Sequence, residues 1–483
     1  MAGFQTVEAF HPAEGTLELL PFRFERIEKS YLVSNMVGDF IRLSGDELER
    51  IVELRMRPGD GLYEKAYAAH LIGGVNQKAK RQILAFRLRS RLAFLRETTP
   101  LHIFVVTLRC EHSCPYCQVS RQSTDRSRFD MSEETARRAL DVAFESPSAR
   151  IKIEFQGGEP LLNFPLISTI ISLAKSKAAA VNKKVDFVIA SNLALLDDTI
   201  LAFCKENDVL LSTSLDGPAD LHNKNRPRPG GNSHELATAG IRRAQAVLGP
   251  ERVGALMTTT EASLDRVEEI VDEYLRLNLD GIFLRPLSPY GFAIKTKAFR
   301  KYGAADWLGF YERGLRYVLE INRRGTHFPE FYATLILKRM LTDRPIGYVD
   351  LRSPAGIGLG ALVYNYDGKV FASDEGRMLA EMGDRTFELG HVTDSYRSLL
   401  LSDKLIGLVD ASLTQCAPEC SDCVFEAHCG ADPVYHHATQ ADPVGIKPLS
   451  EFCARQKGVM RLLLDLLENS PQDAAILRRW GGM

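Results

Sequence analysis

The chain carries no excess charge of either sign: its 483 residues hold 60 Lys and Arg against 62 Asp and Glu, a formal net charge of -2. That balance supplies no global basic field, so the simplest electrostatic route to nucleic acid is excluded. Met1–Gly15 lacks the charged-then-apolar pattern of a signal segment, and no apolar run reads as long enough to span a bilayer. There is also no internal repeat and no low-complexity tract. These absences predict a cytoplasmic protein with no nucleic acid and no membrane partner, in a compartment that keeps thiols reduced. A hydrophobic fraction of 45% and a charged fraction of 25% are ordinary for a globular chain long enough for two or three domains.

Against that background the nine cysteines stand out by placement. Cys110, Cys114 and Cys117 fall within eight residues, five more lie between Cys416 and Cys453, and Cys204 is alone. An odd number in two dense groups makes a poor disulfide framework and a good metal-site layout. Cys204, in the amphipathic stretch Asp197–Asn207, reads as a buried small hydrophobe.

From about residue 100 to 290 short apolar segments alternate with helix-period ones. Ile103–Leu108, Ile151–Phe155, Val185–Ala190, Val209–Ser214, Val253–Thr258 and Gly281–Pro286 read as six strands. Between them, Glu133–Glu145 repeats Ala136, Leu140, Ala143 and Phe144 on one face, with Asp130 placed as in a capping box. Six strand–helix units predict an α/β fold, a doubly wound sheet or a partial (β/α)6 TIM-like barrel, with its site at the strands' C-terminal ends. Residues 1–97 read as a small α+β unit, winged-helix-like or a cap. In it Phe22–Ile27 and Tyr31–Leu43 are strands around Glu28–Ser30, the second bending at Gly38, and Asp46–Arg55 and Leu62–Leu71 are helices. The barrel is expected over 98–300, a helical linker over 301–345, a cysteine-rich extension over 346–456 and a C-terminal helix and tail over 457–483. In the extension, Asp367-Gly368 between Ala361–Tyr366 and Lys369–Ser373 suits a two-residue hairpin turn.

The segment Thr107-Leu-Arg-Cys110-Glu-His-Ser-Cys114-Pro-Tyr-Cys117 follows the first strand. Four thiolates close a [4Fe–4S] cluster, whereas three leave one iron open for another ligand. Zinc is the competing reading, with His112 as a fourth ligand inside the loop. After the second strand comes Gln156-Gly157-Gly158-Glu159-Pro160, where two glycines allow close approach of a ligand and Glu159 can bind an ammonium. Ser191-Asn192 follows the third strand, and Ser214-Leu-Asp216-Gly217-Pro218, with His222 and Arg226, the fourth. Each of these polar residues alone also reads as a turn or cap.

Taken together these segments resemble the radical S-adenosylmethionine (SAM) superfamily over roughly residues 100–290. The resemblance implies a [4Fe–4S] cluster on Cys110, Cys114 and Cys117 whose open iron is chelated by SAM, and release of a 5′-deoxyadenosyl radical after one electron from an external reductant. It implies Tyr116 near the adenine, Ser191 and Asn192 near the ribose, and Gln156, Gly157, Gly158, Glu159, Pro160, Ser214, Asp216 and Arg226 among the residues that bind the cofactor.

Cys420-x2-Cys423-x5-Cys429, followed by Cys453, resembles the auxiliary-cluster part of the SPASM domain and implies one auxiliary [4Fe–4S] cluster, with a structural zinc as the alternative. Where the full pattern has further cysteines this chain has Ser353 or Pro354, Ser373 and Pro433, which implies loss of the other auxiliary cluster; Cys416 reads as a free thiol. Asp374 stands where sulfatase-maturating relatives carry an acid/base residue. Leu20-Pro-Phe-Arg-Phe24, Ser373-Asp-Glu-Gly-Arg-Met378 and Cys429-Gly-Ala-Asp-Pro433 resemble the SPASM-tailed radical SAM maturase of the His-Xaa-Ser peptide system. That implies a ribosomally made precursor peptide with His-Xaa-Ser repeats, a second radical SAM enzyme, and carbon–carbon crosslinking of the cyclophane kind. A sulfatase-maturase-like protein oxidase and a non-catalytic iron–sulfur sensor or scaffold are the alternative readings.

Overall fold

In the computed structural model, which describes residues 17–74, 78–344 and 346–483, the chain begins with short strands β1 (Leu17–Leu19), β2 (Phe22–Ile27), β3 (Ser30–Asn35), β4 (Phe40–Leu43) and β5 (Ile72–Gly74). β2, β3 and β4 form an antiparallel sheet, and β1 pairs with β5. The expected strand Tyr31–Leu43 is split because the side chain of Asn35 accepts from the backbone of Val37 at 2.9 Å and Asp39 at 3.0 Å, folding a turn in which Gly38 takes φ +89°. Ser44 and Glu47 make a reciprocal capping box that starts the helix Gly45–Val52. This helix and Gly61–Ala68 close over Val33, Leu43, Ile51, Ala66 and Ile72, a core separate from that of the barrel.

The main sheet contains β6 (Leu101–Thr107), β7 (Arg150–Gly157), β8 (Lys184–Ala190), β9 (Leu210–Ser214) and β10 (Val253–Leu256), all parallel. Three strands of the C-terminal extension join its open edge: β11 (Ala361–Tyr364), β12 (Lys369–Phe371) and β13 (Glu388–His391). β11 runs parallel to β6, with Tyr364 opposite Phe104, and β12 and β13 are antiparallel additions. The extension is therefore built into the barrel's own sheet. The architecture is mixed α/β with a parallel-rich sheet, as the segment pattern predicts.

Three local expectations are corrected. Gly281–Pro286 forms no strand ladder: Ile282 bridges Glu330, while the backbone N–H of Leu284 donates to the Glu330 carboxylate at 3.1 Å. A side chain has taken the donor that a neighbouring strand needs. Asp130 does not cap the next helix; Ser132 does, accepting from Thr135 N at 3.0 Å. The hairpin turn is longer than two residues. Asn365 still pairs with Lys369, Gly368 N donates to Asn365 O at 2.9 Å, and only Gly368, at φ +86°, is left-handed. That is the three-residue loop, since the two-residue type I′ turn needs two positive φ values.

Among the described residues one helix, Pro160–Val181, is apolar and long enough by length and composition to cross a membrane, with a mean hydropathy of 1.3, which corrects the sequence reading that no such run exists. Here its Leu166, Ile167, Ile170, Ile171 and Ala174 pack into the barrel core.

Candidate active site

The cysteine loop leaves β6 through Arg109, and this is where Asp130 is used. Arg109 donates to both Asp130 oxygens at 2.7 and 2.8 Å, and Thr107 Oγ1 donates to the same carboxylate at 2.6 Å. A buried bidentate pair of this kind fixes direction as well as distance. On the other side, Phe292 N donates to Cys117 O at 2.8 Å, and Gly291, at φ +59°, packs so close that a Cβ there would lie 2.3 Å from Gln118 O. Gly291 was not singled out in the sequence.

Cys110, Cys114 and Cys117 line one cavity of about 480 Å³. Burial pushes the Cys114 thiol up to about 12, against the pull of Arg226. Both ring nitrogens of His112 are engaged, Nε2 with Ser233 Oγ at 2.8 Å and Nδ1 with Asn192 Nδ2 at 3.0 Å. His112 thus has a partner on each ring nitrogen, and its ligand atoms also lie within 4.8 Å of those of Cys110 and Glu111, a set that could hold a metal ion.

Gly157 and Gly158 are required for a reason the sequence hides. A Cβ on Gly157 would lie 2.1 Å from Thr107 O, and one on Gly158 2.2 Å from Arg109 O. The glycines let β7's exit lie against the backbone leading into the cysteine loop, where Gly158 N and Glu159 N donate to Thr107 O and Arg109 O at 2.9 and 2.7 Å. Both glycines also line the cavity, with Gln156, Tyr116, Ser191, Asn192, Ser214 and Arg226.

Glu159, Pro160 and Asp216 do not line it. Glu159 is fully buried and accepts from Ser191 Oγ at 2.7 Å, Asn192 N at 2.8 Å and Leu161 N at 3.0 Å. Burial, then the nearby Glu111, pushes its carboxyl up to about 7. Its work here is to hold the Ser191-Asn192 turn. Asp216, also fully buried, binds Arg226 at 3.0 and 3.2 Å and accepts from the Tyr116 hydroxyl. Burial alone would raise Asp216, but Arg226 and His222 hold it below the usual carboxylate range. The Arg226 guanidinium then lies 5.5 Å from the Tyr116 ring centre, a cation–π arrangement.

Asp374 also lines the cavity, but from another level. β12 runs antiparallel to β6, so Phe371 stands opposite Val363, and Val363 opposite Ile103. The helix Asp374–Ala380, capped by Ser373, starts just beyond. Arg377, 1% exposed, donates from Nε to Asp374 at 2.9 Å. Asp374 is thus a cavity residue in a buried ion pair, not a solvated turn residue.

Cys420, Cys423, Cys429 and Cys453 lie apart from the cavity. Burial, then the neighbouring Cys423, Cys453 and Cys420, pushes the Cys429 thiol up. Cys204 is buried, as expected, and Cys416 is exposed. Ser353 and Ser373 carry structural hydrogen bonds, to Gln415 at 2.8 Å and from Gly376 N at 3.0 Å, while Pro433 opens a helix. The N-terminal sheet docks on the loop between these cysteines. Ser34 Oγ donates to Val424 O at 2.7 Å, Arg23 pairs with Glu426 at 3.2 Å, and His428 Nε2 contacts Gly38 O at 2.7 Å.

Residues 104–274 match the family model described as the Radical SAM superfamily. An uncharacterized protein of Methanocaldococcus jannaschii is 30% identical over 189 residues, which is 39% of this chain and 62% of that protein. The cysteine-type anaerobic sulfatase-maturating enzyme of Clostridium perfringens is 30% identical over 125 residues, 24% of this chain and 32% of the enzyme. The chain thus matches less than two thirds of the length of either. Among solved structures, native anSMEcpe with bound AdoMet superposes with a TM-score of 0.64 at 17% identity, covering 79% of this chain and 99% of that one. Streptococcus suis SuiB bound to precursor peptide SuiA gives 0.53 at 14% identity, covering 89% and 98%. Residues 104–274 thus match a radical SAM domain, within a fold shared with these two solved structures.

Proposed function

We propose that the chain is a cytoplasmic radical SAM maturase that modifies a ribosomally made precursor peptide. The observation that carries this reading is the convergence of three loop thiols and Asp374 on one cavity of about 480 Å³. Cys110, Cys114 and Cys117 would hold the [4Fe–4S] cluster, since the loop offers three thiols to one cavity and leaves one iron open. Gly157, Gly158, Ser191, Asn192, Ser214, Tyr116 and Arg226 provide the polar wall for SAM. When bound, cluster and SAM together supply a hydrogen-abstracting 5′-deoxyadenosyl radical after reduction by an external one-electron donor. Glu159 and Asp216 position the wall, while Asp374 is placed to take a proton from the substrate.

We assign Cys420, Cys423, Cys429 and Cys453 to one auxiliary [4Fe–4S] cluster that accepts an electron, and residues 1–97 to recognition of a leader segment at a sheet edge. The finer substrate assignment, His-Xaa-Ser repeats crosslinked in the cyclophane manner beside a second radical SAM enzyme, rests on the three sequence stretches named above. Formylglycine-type oxidation of a sulfatase is the second reading, favoured by the likeness to the sulfatase-maturating enzyme. Anaerobic reconstitution followed by assay for 5′-deoxyadenosine tests the enzymatic reading against a sensor or scaffold. Mass spectrometry of a co-expressed repeat peptide, beside a sulfatase-derived one, then separates the two maturases.

A further inference from the structure

Asp350, Glu375 and Asp432 line the same cavity from three separate segments: the short turn Val349–Leu351, the helix Asp374–Ala380 and the cap of Pro433–Gln440. Each keeps part of its surface, and that surface is turned to the cavity. Asp374 beside them is already neutralised by Arg377. Arg285 also lines the cavity, but among the described residues it makes no ion pair within 4 Å with any of the three.

A second observation points the same way. Behind the cavity wall, the Tyr290 hydroxyl is buried without a hydrogen-bond partner, with Asp432, Glu375 and Asp350 as its charged neighbours. A buried hydroxyl without a partner is costly unless something absent completes it. Burial pushes all three carboxyls up, Glu375 to about 7; repulsion from Asp350 adds to the rise of Glu375 and Asp432, while Arg285 and Tyr348 draw Asp350 back down. Ala355, Met378 and Val434 line the cavity beside them and share an apolar cluster with Tyr290. Carboxylates and a free phenol oxygen next to an apolar wall suit an N–H cation carried on a hydrocarbon stem or ring. A bare divalent ion would instead draw its remaining ligands from oxygen and water.

We propose that Asp350, Glu375, Asp432 and Tyr290 form a recognition pocket for a cationic side chain of the substrate peptide. The pocket rests on the peptide-maturase reading and deepens it. It holds one residue of the peptide while a neighbouring residue is presented to the loop end of the cavity.

The test titrates the reconstituted full chain calorimetrically with n-butylguanidinium, n-butylammonium and 4-methylimidazolium, against neutral n-butylurea. At least one cation should bind about tenfold or more tightly than the urea. Which one it is identifies the side chain as arginine, lysine or histidine. Glu375→Gln and Asp432→Asn should each erase most of that preference. Equal binding of butylurea, or an unchanged preference in both variants, overturns the pocket. So does stoichiometric Mn²⁺ binding that both substitutions abolish. If neither variant folds, the cation-against-urea comparison on the unaltered chain decides alone. The same preparation is assayed for 5′-deoxyadenosine: its absence with cation preference intact counts against the maturase reading, and the converse against the pocket only.

Discussion

Cys110, Cys114 and Cys117 open onto the large cavity, whereas Cys420, Cys423, Cys429 and Cys453 lie outside it, around the loop on which the N-terminal sheet docks. The first group is braced entirely through its backbone and flanks, by Arg109–Asp130, the Gly157-Gly158 strip and Gly291. The second is braced from outside, by Arg339 donating to Cys429 O at 3.1 Å and by Arg91 donating to Ala427 O at 2.8 Å. Three donors facing a cavity leave room for an exchangeable ligand, whereas four donors suffice to close a cluster by themselves. The contrast teaches that spacing alone separates the two sites less well than what each faces.

Exchanging the fates of the two groups is the strongest way to break this comparison. Replacing Cys110, Cys114 and Cys117 together by Ala should abolish 5′-deoxyadenosine formation and lower the iron content from about eight to about four per chain. Replacing Cys420, Cys423 and Cys429 by Ala should lower iron equally but leave cleavage of SAM. Continued cleavage in the first variant contradicts the assignment of the loop. About twelve irons in the unaltered chain would mean a third cluster, and stoichiometric zinc would mean a structural site at the C-terminal four. Asp374→Asn should cut modified peptide by roughly 10²–10⁴-fold while SAM cleavage persists, because proton removal follows initiation. Full product yield from this variant, measured by mass spectrometry, retires Asp374 as the base.

Smaller effects probe the bracing. Arg23→Ala leaves buried Glu426 with only Thr414, 2.6 Å away, and should destabilise the docked N-terminal sheet by about 3–5 kcal/mol. Hydrogen exchange should then quicken in β2 and β3 and around residues 420–429 but not in β6–β10; uniform quickening would mean that the regions unfold together. In the barrel, His102 and His222 are buried and pushed by that burial to about 3. The unfolded chain takes up protons below about pH 6.5 that the native barrel refuses, so stability falls as pH drops from there toward 3. Each group contributes up to roughly 1.4 kcal/mol per pH unit in that window. Urea midpoints across this range, compared with those of His102→Gln, measure the slope.

Much of the barrel was legible in sequence because each strand is a local run: Ile151–Phe155 and Val185–Ala190 announce themselves by β-branched content. The loop was legible because its three cysteines are neighbours in the chain. What stayed hidden depends on distant partners. Nothing near Glu159 says that it will turn inward to Ser191 and Asn192, and Asp130 looks like a cap until Arg109 is seen to take it. The sixth segment looked like a strand because its residues are apolar, but Glu330, far along the chain, claims its backbone. Asp350, Glu375 and Asp432 are separated by loops and helices and form a group only once the extension has joined the sheet. Tyr290, whose neighbour Gly291 buttresses Cys117, carried no motif at all.

Because β11 joins β6 in parallel and β12 turns back, the sheet register also sets a depth. Phe371 and Glu154 are level with Ile103, while Gly157 pairs with Thr107 at the strand's end, where the cysteine loop begins. Four strand residues at about 3.3 Å each separate these levels by roughly 13 Å. An extended chain covers that span in about four residues. A guest reaching from the Phe371 level to the loop therefore has a minimum length, and a single amino acid falls short of it.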